Sequence, residues 1–240
     1  HNDARRQRQM CIRDSYVLCM LLSVDNLSVS RGGVSLFEGL NLTLSSGQFI
    51  SLTGGNGTGK TTLLRSIAGL QPKDEGEILI DNDNFIFAGD SNGIKTSLTV
   101  SENLRFWSAI FGEKEFEEAL EVFHLTKFEN RFAGKLSAGQ KRRLSLARLM
   151  LADKAIWLLD EPTVSLDKKS MEEFSKILKN HLEAGGAAVV ATHIDLGLKT
   201  HSSNINIEDY RTKSGNLNAS AGAFLCCLLY TSPSPRDHQP

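Results

Sequence analysis

The chain has 240 residues, 40% of them hydrophobic and 23% charged, the mix of an ordinary globular protein with one large or two small domains. A net charge of -1 leaves no broad basic surface, which argues against nucleic acid as a partner. The longest apolar run, YVLCMLL at 16–22, is far too short to span a bilayer and no small-residue cleavage site follows it, so a membrane role is expected to need a partner chain.

Taken in chain order, residues 1–19 are Arg-rich and show neither helical nor strand period, and residues 226–240 hold three of the five prolines. All four cysteines, Cys11, Cys19, Cys226 and Cys227, lie in these two flanks. The flanks resemble translated sequencing-adapter sequence, in RQRQMCIRDS and LLYTSPSPRD, and are expected to be non-native, with Met20 as the start and a C-terminus cut short. The remaining core carries 22 basic and 25 acidic residues, a charge of -3, and its lack of cysteine fits a reducing cytosol.

Within the core, LLSVDNLSVS (21–30) and VSLFEGLNLTLS (34–45) alternate as strands around an Arg31-Gly32-Gly33 turn. QFISLT (48–53) is a strand running into a Gly-rich loop, and KTTLLRSIAGL (60–70) is a helix stopped by Gly69 and Pro72. GEILI (76–80) and NFIFA (84–88) are short strands. Thr99 with Glu102 reads as a capping box, and the pattern is helical from there to residue 152, with loops near Gly112, Lys127 and Gly134. AIWLLD (155–160) and AAVVAT (187–192) are apolar throughout, as strands buried on both faces are, and an amphipathic helix between them ends at Gly185-Gly186. Strands joined by helices imply a parallel sheet, interrupted by the helical block. Beyond about residue 208 the pattern carries no prediction.

GGNGTGKTT (54–62) fits G-x-x-x-x-G-K-[ST], between a strand and a helix as that motif requires. Glycines let backbone N–H groups wrap a phosphate, and the helix adds its positive end. Lys60 is expected to reach the β- and γ-phosphates and the Thr61 hydroxyl to ligate Mg²⁺. The residues expected to contact ATP here are Gly54, Asn56, Gly57, Gly59, Lys60, Thr61 and Thr62. Asp160 and Glu161 end the strand IWLLD, and strand alternation would point them apart. Asp160 then serves Mg²⁺, while Glu161 polarises an attacking water as general base. His193 ends the next buried strand, at the carboxyl edge where such sheets bind ligands, and is expected to orient that water beside the γ-phosphate.

LSAGQ (136–140) is a second Gly turn opening a helix. One phosphate loop already completes a mononucleotide pocket, so this element is surplus within a single subunit. LSAGQ resembles the LSGGQ signature of ABC-transporter ATPases. With the phosphate loop, the carboxylate strand, Ser165-Leu166-Asp167 in the place of the D-loop and His193, it makes five motifs in that family's order. The resemblance implies a P-loop NTPase of α/β class. Its parts would be a RecA-like parallel core sheet, an antiparallel β subdomain and an inserted helical signature subdomain at about 95–152, within an ATPase domain of residues 20–225. It also implies that Ser137, Gly139, Gln140 and Asp167 contact or couple to the partner's ATP, in a head-to-tail sandwich.

Two positions depart from the family. Arg31 stands where an aromatic usually stacks on adenine, a place its guanidinium plane can fill. Gly89-Asp90 stands where a Gln usually reaches Mg²⁺, and Asp90 is the candidate replacement.

Residues 87–107, with Gly93-Ile94-Lys95, Leu98-Thr99 and Glu102-Asn103-Leu104-Arg105-Phe106-Trp107, resemble the ATP-binding subunit of the cytochrome c maturation transporter, or haem exporter. That resemblance implies a peripheral ATPase on the cytoplasmic face of the bacterial inner membrane. It would dimerise, dock on integral membrane permease subunits and act indirectly on a haem chaperone. The rivals are an ATPase of another exporter, for drugs or lipids, and a soluble ABC protein acting on ribosomes or DNA. A GTPase reading of Asp90-Ser91-Asn92-Gly93 lacks any guanine-reading N-K-x-D.

Overall fold

The computed structural model describes residues 20–89, 92–194, 196–198 and 202–211. The suspected flanks and Asp90 lie outside the described residues. In chain order the strands are β1 (Met20–Arg31), β2 (Val34–Ser45), β3 (Phe49–Thr53), β4 (Glu75–Ile80), β5 (Phe85–Ala88), β6 (Ile156–Asp160), β7 (Ala187–Ala191) and β8 (Ser202–Asn206). The α-helices are α1 (Lys60–Ile67), α2 (Val100–Phe111), α3 (Glu117–Val122), α4 (Ala138–Ala152) and α5 (Lys168–Glu183).

β1 and β2 form a two-residue hairpin in which Arg31 pairs with Val34. Gly32 and Gly33 both take positive φ, 61° and 78°, as a turn that follows the strand twist requires. β4 pairs with the other side of β1, giving an antiparallel sheet of order β2-β1-β4. The second sheet is parallel, in the order β5-β6-β7-β3-β8. The α/β class and the pairing of a parallel core sheet with an antiparallel one match the sequence expectation. β8 was not foreseen, because SSNIN is polar and carries no strand period.

The parallel sheet is a wall between two cores. All five residues of β6 are buried, and so are all five of β7. Ile156, Leu158, Ala187, Val189 and Ala191 join the cluster that includes α1 and the antiparallel sheet. Trp157, Leu159, Ala188 and Val190 face the opposite cluster, built with α2, α4 and α5. A period of two divided between two apolar layers gives the unbroken hydrophobic runs seen in the sequence.

The helical block starts as the capping box predicts. Thr99 N donates to Glu102 Oε2 at 2.7 Å and Glu102 N donates to Thr99 Oγ1 at 3.2 Å. The donations from Thr99 N and, at 3.0 Å, from Thr99 Oγ1 to Glu102 Oε2 hold the Glu102 carboxyl below its ordinary pKa. α2 ends at Gly112 with φ 103°, a left-handed stop that glycine takes without strain.

At the amino end of the parallel sheet, His181 on α5 stacks on Trp157, with ring centroids 3.9 Å apart and planes 9° apart. Its Nε2 lies 3.2 Å from Ala155 O, the geometry of a neutral imidazole donating to a carbonyl. Burial lowers its pKa below the usual 6.5. As pH falls, the unfolded chain therefore takes up the proton first. The stability this residue contributes is complete above about pH 6.5 and is lost as pH drops through that value toward the folded pKa. Thermal melts are expected to show the melting temperature falling over this window, and His181→Phe, which keeps the stack but cannot be protonated, to flatten that part of the profile.

Candidate functional site

The strand order places three strand ends side by side. β7 lies between β3 and β6, and Ala191 is in register with both Leu52 and Asp160. The residues just past these ends are Gly54, His193 and Glu161, and they meet. Lys60, the first residue of α1, sends Nζ to Gly54 O at 2.7 Å, Gly55 O at 3.0 Å and His193 Nε2 at 3.1 Å. His193 Nε2 also lies 3.4 Å from Glu161 Oε1. One ring nitrogen cannot serve both neighbours at once: unprotonated it accepts from Lys60, and protonated it donates to Glu161.

The loop from Gly54 to Gly59 owes its shape to three glycines at positive φ, Gly54 at 134°, Gly57 at 79° and Gly59 at 110°. Two are also forced by contact. A Cβ on Gly54 would stand 2.9 Å from Thr58 Oγ1, and one on Gly59 would stand 3.1 Å from the Phe37 ring. No side chain caps the first turn of α1 and no acidic residue lies in it, so its N–H groups and dipole face the loop cavity. Asn56 and Gly57 are exposed at the loop tip, Thr61 is half-buried and Thr62 is buried.

Asp160 is buried as the last residue of β6, whereas Glu161 lies beyond the strand at φ 47°. The two carboxylates therefore part because the backbone turns into the left-handed region, and not through the strand alternation expected from sequence. For a non-glycine residue that conformation is strained and needs external restraint.

The restraint comes from Arg142, which the sequence reading passed over as one of several basic helix residues. Arg142 is buried on α4 and its guanidinium reads backbone. Nη2 donates to Asp160 O at 2.9 Å and Glu161 O at 2.6 Å, Nε donates to Pro162 O at 3.1 Å, and Nη1 donates to Gly89 O at 2.8 Å. A second buried arginine, Arg148, donates to Phe87 O at 3.0 Å and lies 5.1 Å from the Trp107 ring centroid. Burial, with Arg142 adding repulsion, lowers its pKa to about 10. Gly93, at φ 61°, makes room for it: a Cβ there would stand 2.8 Å from Arg148 Nη1. Arg148 has a sequence signal in its place among the leucines of α4, whereas Arg142, between Lys141 and Arg143, has none.

The signature residues do a local task in this chain. Ser137 caps α4, with Gln140 N donating to Ser137 Oγ at 3.3 Å and Ser137 N donating to Gln140 Oε1 at 2.9 Å. Gly139 packs on the D-loop, where a Cβ would stand 2.7 Å from Ser165 O. Ser165 itself has φ 68°. Asp167 caps α5 by accepting from Ser170 N at 2.8 Å, and its bonds with Ser170 hold its carboxyl below the ordinary pKa. The structure thus gathers Lys60, Glu161 and His193 in one place, and ties Gly139 to the D-loop Ser165. Arg31 is exposed at the tip of the β1–β2 hairpin.

Comparison with known proteins places the chain among related sequences and folds. The sequence profile of the ABC transporter family matches residues 37–164. The chain is 52% identical over 180 residues to the cytochrome c biogenesis ATP-binding export protein CcmA of Roseobacter denitrificans, covering 75% of this chain and 87% of that one. It is 55% identical over 178 residues to the protein of the same name from Paracoccus denitrificans, covering 74% and 85%. Against the one from Ruegeria pomeroyi it is 48% identical over 206 residues, covering 86% and 100%. Among solved structures, the dimeric post-hydrolysis state of an ATP-binding cassette bound to ADP and Pi superposes with a TM-score of 0.69 at 26% identity, covering 81% of this chain and 97% of that one. The ATP binding subunit of an ABC transporter shares the fold, with a TM-score of 0.73 at 23% identity, covering 82% and 90%.

Replacing Arg142 by Met would remove its donors to four backbone carbonyls in a buried site. The expected cost is about 2–4 kcal/mol of stability, read by denaturant unfolding. Arg142→Lys, which has one point donor in place of a planar fork, is expected to recover only part of it.

Proposed function

The chain belongs to the ABC transporter family, within its cytochrome c biogenesis ATP-binding export proteins, and we propose that it is the ATPase subunit that powers haem export or handling for c-type cytochrome assembly. The observation that carries the ATPase reading is the meeting of Lys60, His193 and Glu161 at three adjacent strand ends. The cytochrome c biogenesis assignment rests on the relatives' names, and the haem reading on the resemblance carried by the run 87–107. In that run Lys95 Nζ sits 3.6 Å from the Phe106 centroid, and buried Asn103 both accepts from Lys95 N at 2.9 Å and donates to Lys95 O at 3.0 Å.

In this reading the γ-phosphate draws Lys60 Nζ away from the Gly54 and Gly55 carbonyls. The N–H groups of residues 57–62 and the open end of α1 hold the phosphate oxygens. Glu161 takes a proton from water as its oxygen attacks the γ-phosphorus, and the bond to the β-phosphate oxygen breaks. His193, relieved of Lys60, orients that water and the γ-phosphate. Thr61 and Asp160 offer a hydroxyl and a carboxylate, hard oxygen donors suited to Mg²⁺, which would neutralise phosphate charge when bound. Ser137, Gly139 and Asp167 face the nucleotide of a second copy across a head-to-tail dimer. No helix among the described residues is long and apolar enough to cross a membrane. In this proposal the subunit reaches the cytoplasmic face of the inner membrane by docking on permease subunits.

Glu161→Gln is expected to lower ATP turnover by about 10²–10⁴-fold and to accumulate an ATP-bound dimer on size exclusion; rapid turnover by this variant would remove Glu161 as the base. Lys60→Ala is expected to abolish ATP binding. In a bacterium lacking its own cytochrome c biogenesis ATPase, the wild-type gene should restore haem-stained c-type cytochromes and the Glu161→Gln gene should not. Restoration by both would overturn the energetic role.

A further inference from the structure

The peptide unit joining Gly54 to Gly55 is gripped at both ends. Its carbonyl, on Gly54, accepts from Lys60 Nζ at 2.7 Å. Its N–H, on Gly55, donates to Glu208 Oε1 at 2.8 Å. A cation and an anion thus sit at the two ends of one peptide dipole, each at the end that favours it. Charge-assisted bonds arranged in series polarise one another, so each strengthens the other.

The position of Glu208 follows from the sheet. β8 runs parallel to β3, the phosphate loop's own strand, with Asn206 in register with Thr53. The Thr53 hydroxyl donates to Asn204 Oδ1 at 3.0 Å. Asn206 then caps a 3-10 turn by accepting from Glu208 N at 3.2 Å, and fully buried Ile207 anchors that turn in the core. The absence of a side chain at residue 55 completes the fit, since a Cβ there would stand 3.1 Å from the Glu208 carboxylate oxygen.

We propose that Glu208 is a positioning residue for the phosphate loop, whose charge holds Lys60 back on the Gly54 carbonyl and thereby weakens the hold on nucleotide and speeds product release. The proposal rests on nucleotide binding at residues 54–62. Two effects share one sign. To reach the phosphates Lys60 must leave a carbonyl that the carboxylate has made a better acceptor, and the carboxylate repels the polyphosphate itself. A plain structural brace would act the other way, because its loss would loosen the loop and weaken binding.

The test is calorimetric titration of the full chain with MgADP at low and high salt, for wild type, Glu208→Gln and Glu208→Lys. Glutamine keeps the acceptor for Gly55 N and removes only the charge. At low salt Glu208→Gln is expected to bind MgADP about threefold to tenfold more tightly than wild type, and Glu208→Lys more tightly still, with the differences shrinking as salt rises. Equal or weaker binding by Glu208→Gln would overturn the proposal, as would a gain that salt leaves unchanged. Lys60→Ala separates the two levels. If wild type and Lys60→Ala bind MgADP alike, the phosphate-loop reading itself fails; if only wild type binds, the Glu208 comparison stands alone. Thermal melts confirm that the variants are folded, and since Glu208 is exposed the substitutions leave the core intact.

Discussion

The register of β3, β7 and β6 is the constraint from which the rest of the site follows. Ala191 pairs with Leu52 on one side and Asp160 on the other, so the chain must leave all three strands at the same level. The loop after β3 becomes the proposed phosphate cradle, the residue after β6 supplies a carboxylate and the turn after β7 a histidine between them. A one-residue slip in any of the strands would turn its buried set from one core to the other and carry its terminal group out of reach. The wall that separates the two hydrophobic cores thereby also aligns the chemistry, and pressure to keep those cores dry keeps the site in register.

Around that frame, backbone strain is placed where it serves. Glu161 and Ser165 both take positive φ without being glycine. Both are held from α4, Glu161 by the Arg142 guanidinium and Ser165 by close contact with Gly139. The helix that begins with the signature is therefore fastened to the loop that carries the carboxylate. In the proposed sandwich the signature would serve the partner's nucleotide and the carboxylate the chain's own, so α4 would bind the two tasks into one rigid piece. Any shift of the signature toward a partner would be felt at Glu161 through hydrogen bonds to backbone.

Local rules made much of this legible. The glycines at 54, 57 and 59 announced positive φ, Thr99 with Glu102 announced a helix start, and the apolar runs at 155–160 and 187–192 announced strands buried on both faces. What stayed hidden depended on distant partners. Arg142 looks like any basic residue near a helix start, and only the packed structure shows it turned inward on four carbonyls. β8 is polar because an edge position asks little burial of it, so SSNIN gave no period to read. Glu208 acts through a hydrogen bond 153 residues away in sequence, which no local pattern encodes. The Ser137 and Gln140 pair was read by its resemblance to a phosphate-contacting motif, yet within this chain the same two side chains close a capping box. Those readings are compatible, because the cap uses the serine oxygen as acceptor and leaves its proton for another oxygen.

The account turns on whether the signature works across the dimer, and mixing two defective chains tests that most directly. One chain carries Lys60→Ala and keeps its signature; the other carries Ser137→Arg and keeps its phosphate loop. Each alone should be inactive. If the signature acts in trans, the mixed dimer holds one intact composite site, formed by the phosphate loop of the second chain and the signature of the first, and ATP hydrolysis should return on mixing. If mixing leaves hydrolysis at the level of the separate variants while both still dimerise, the signature acts within its own chain and the sandwich reading is wrong.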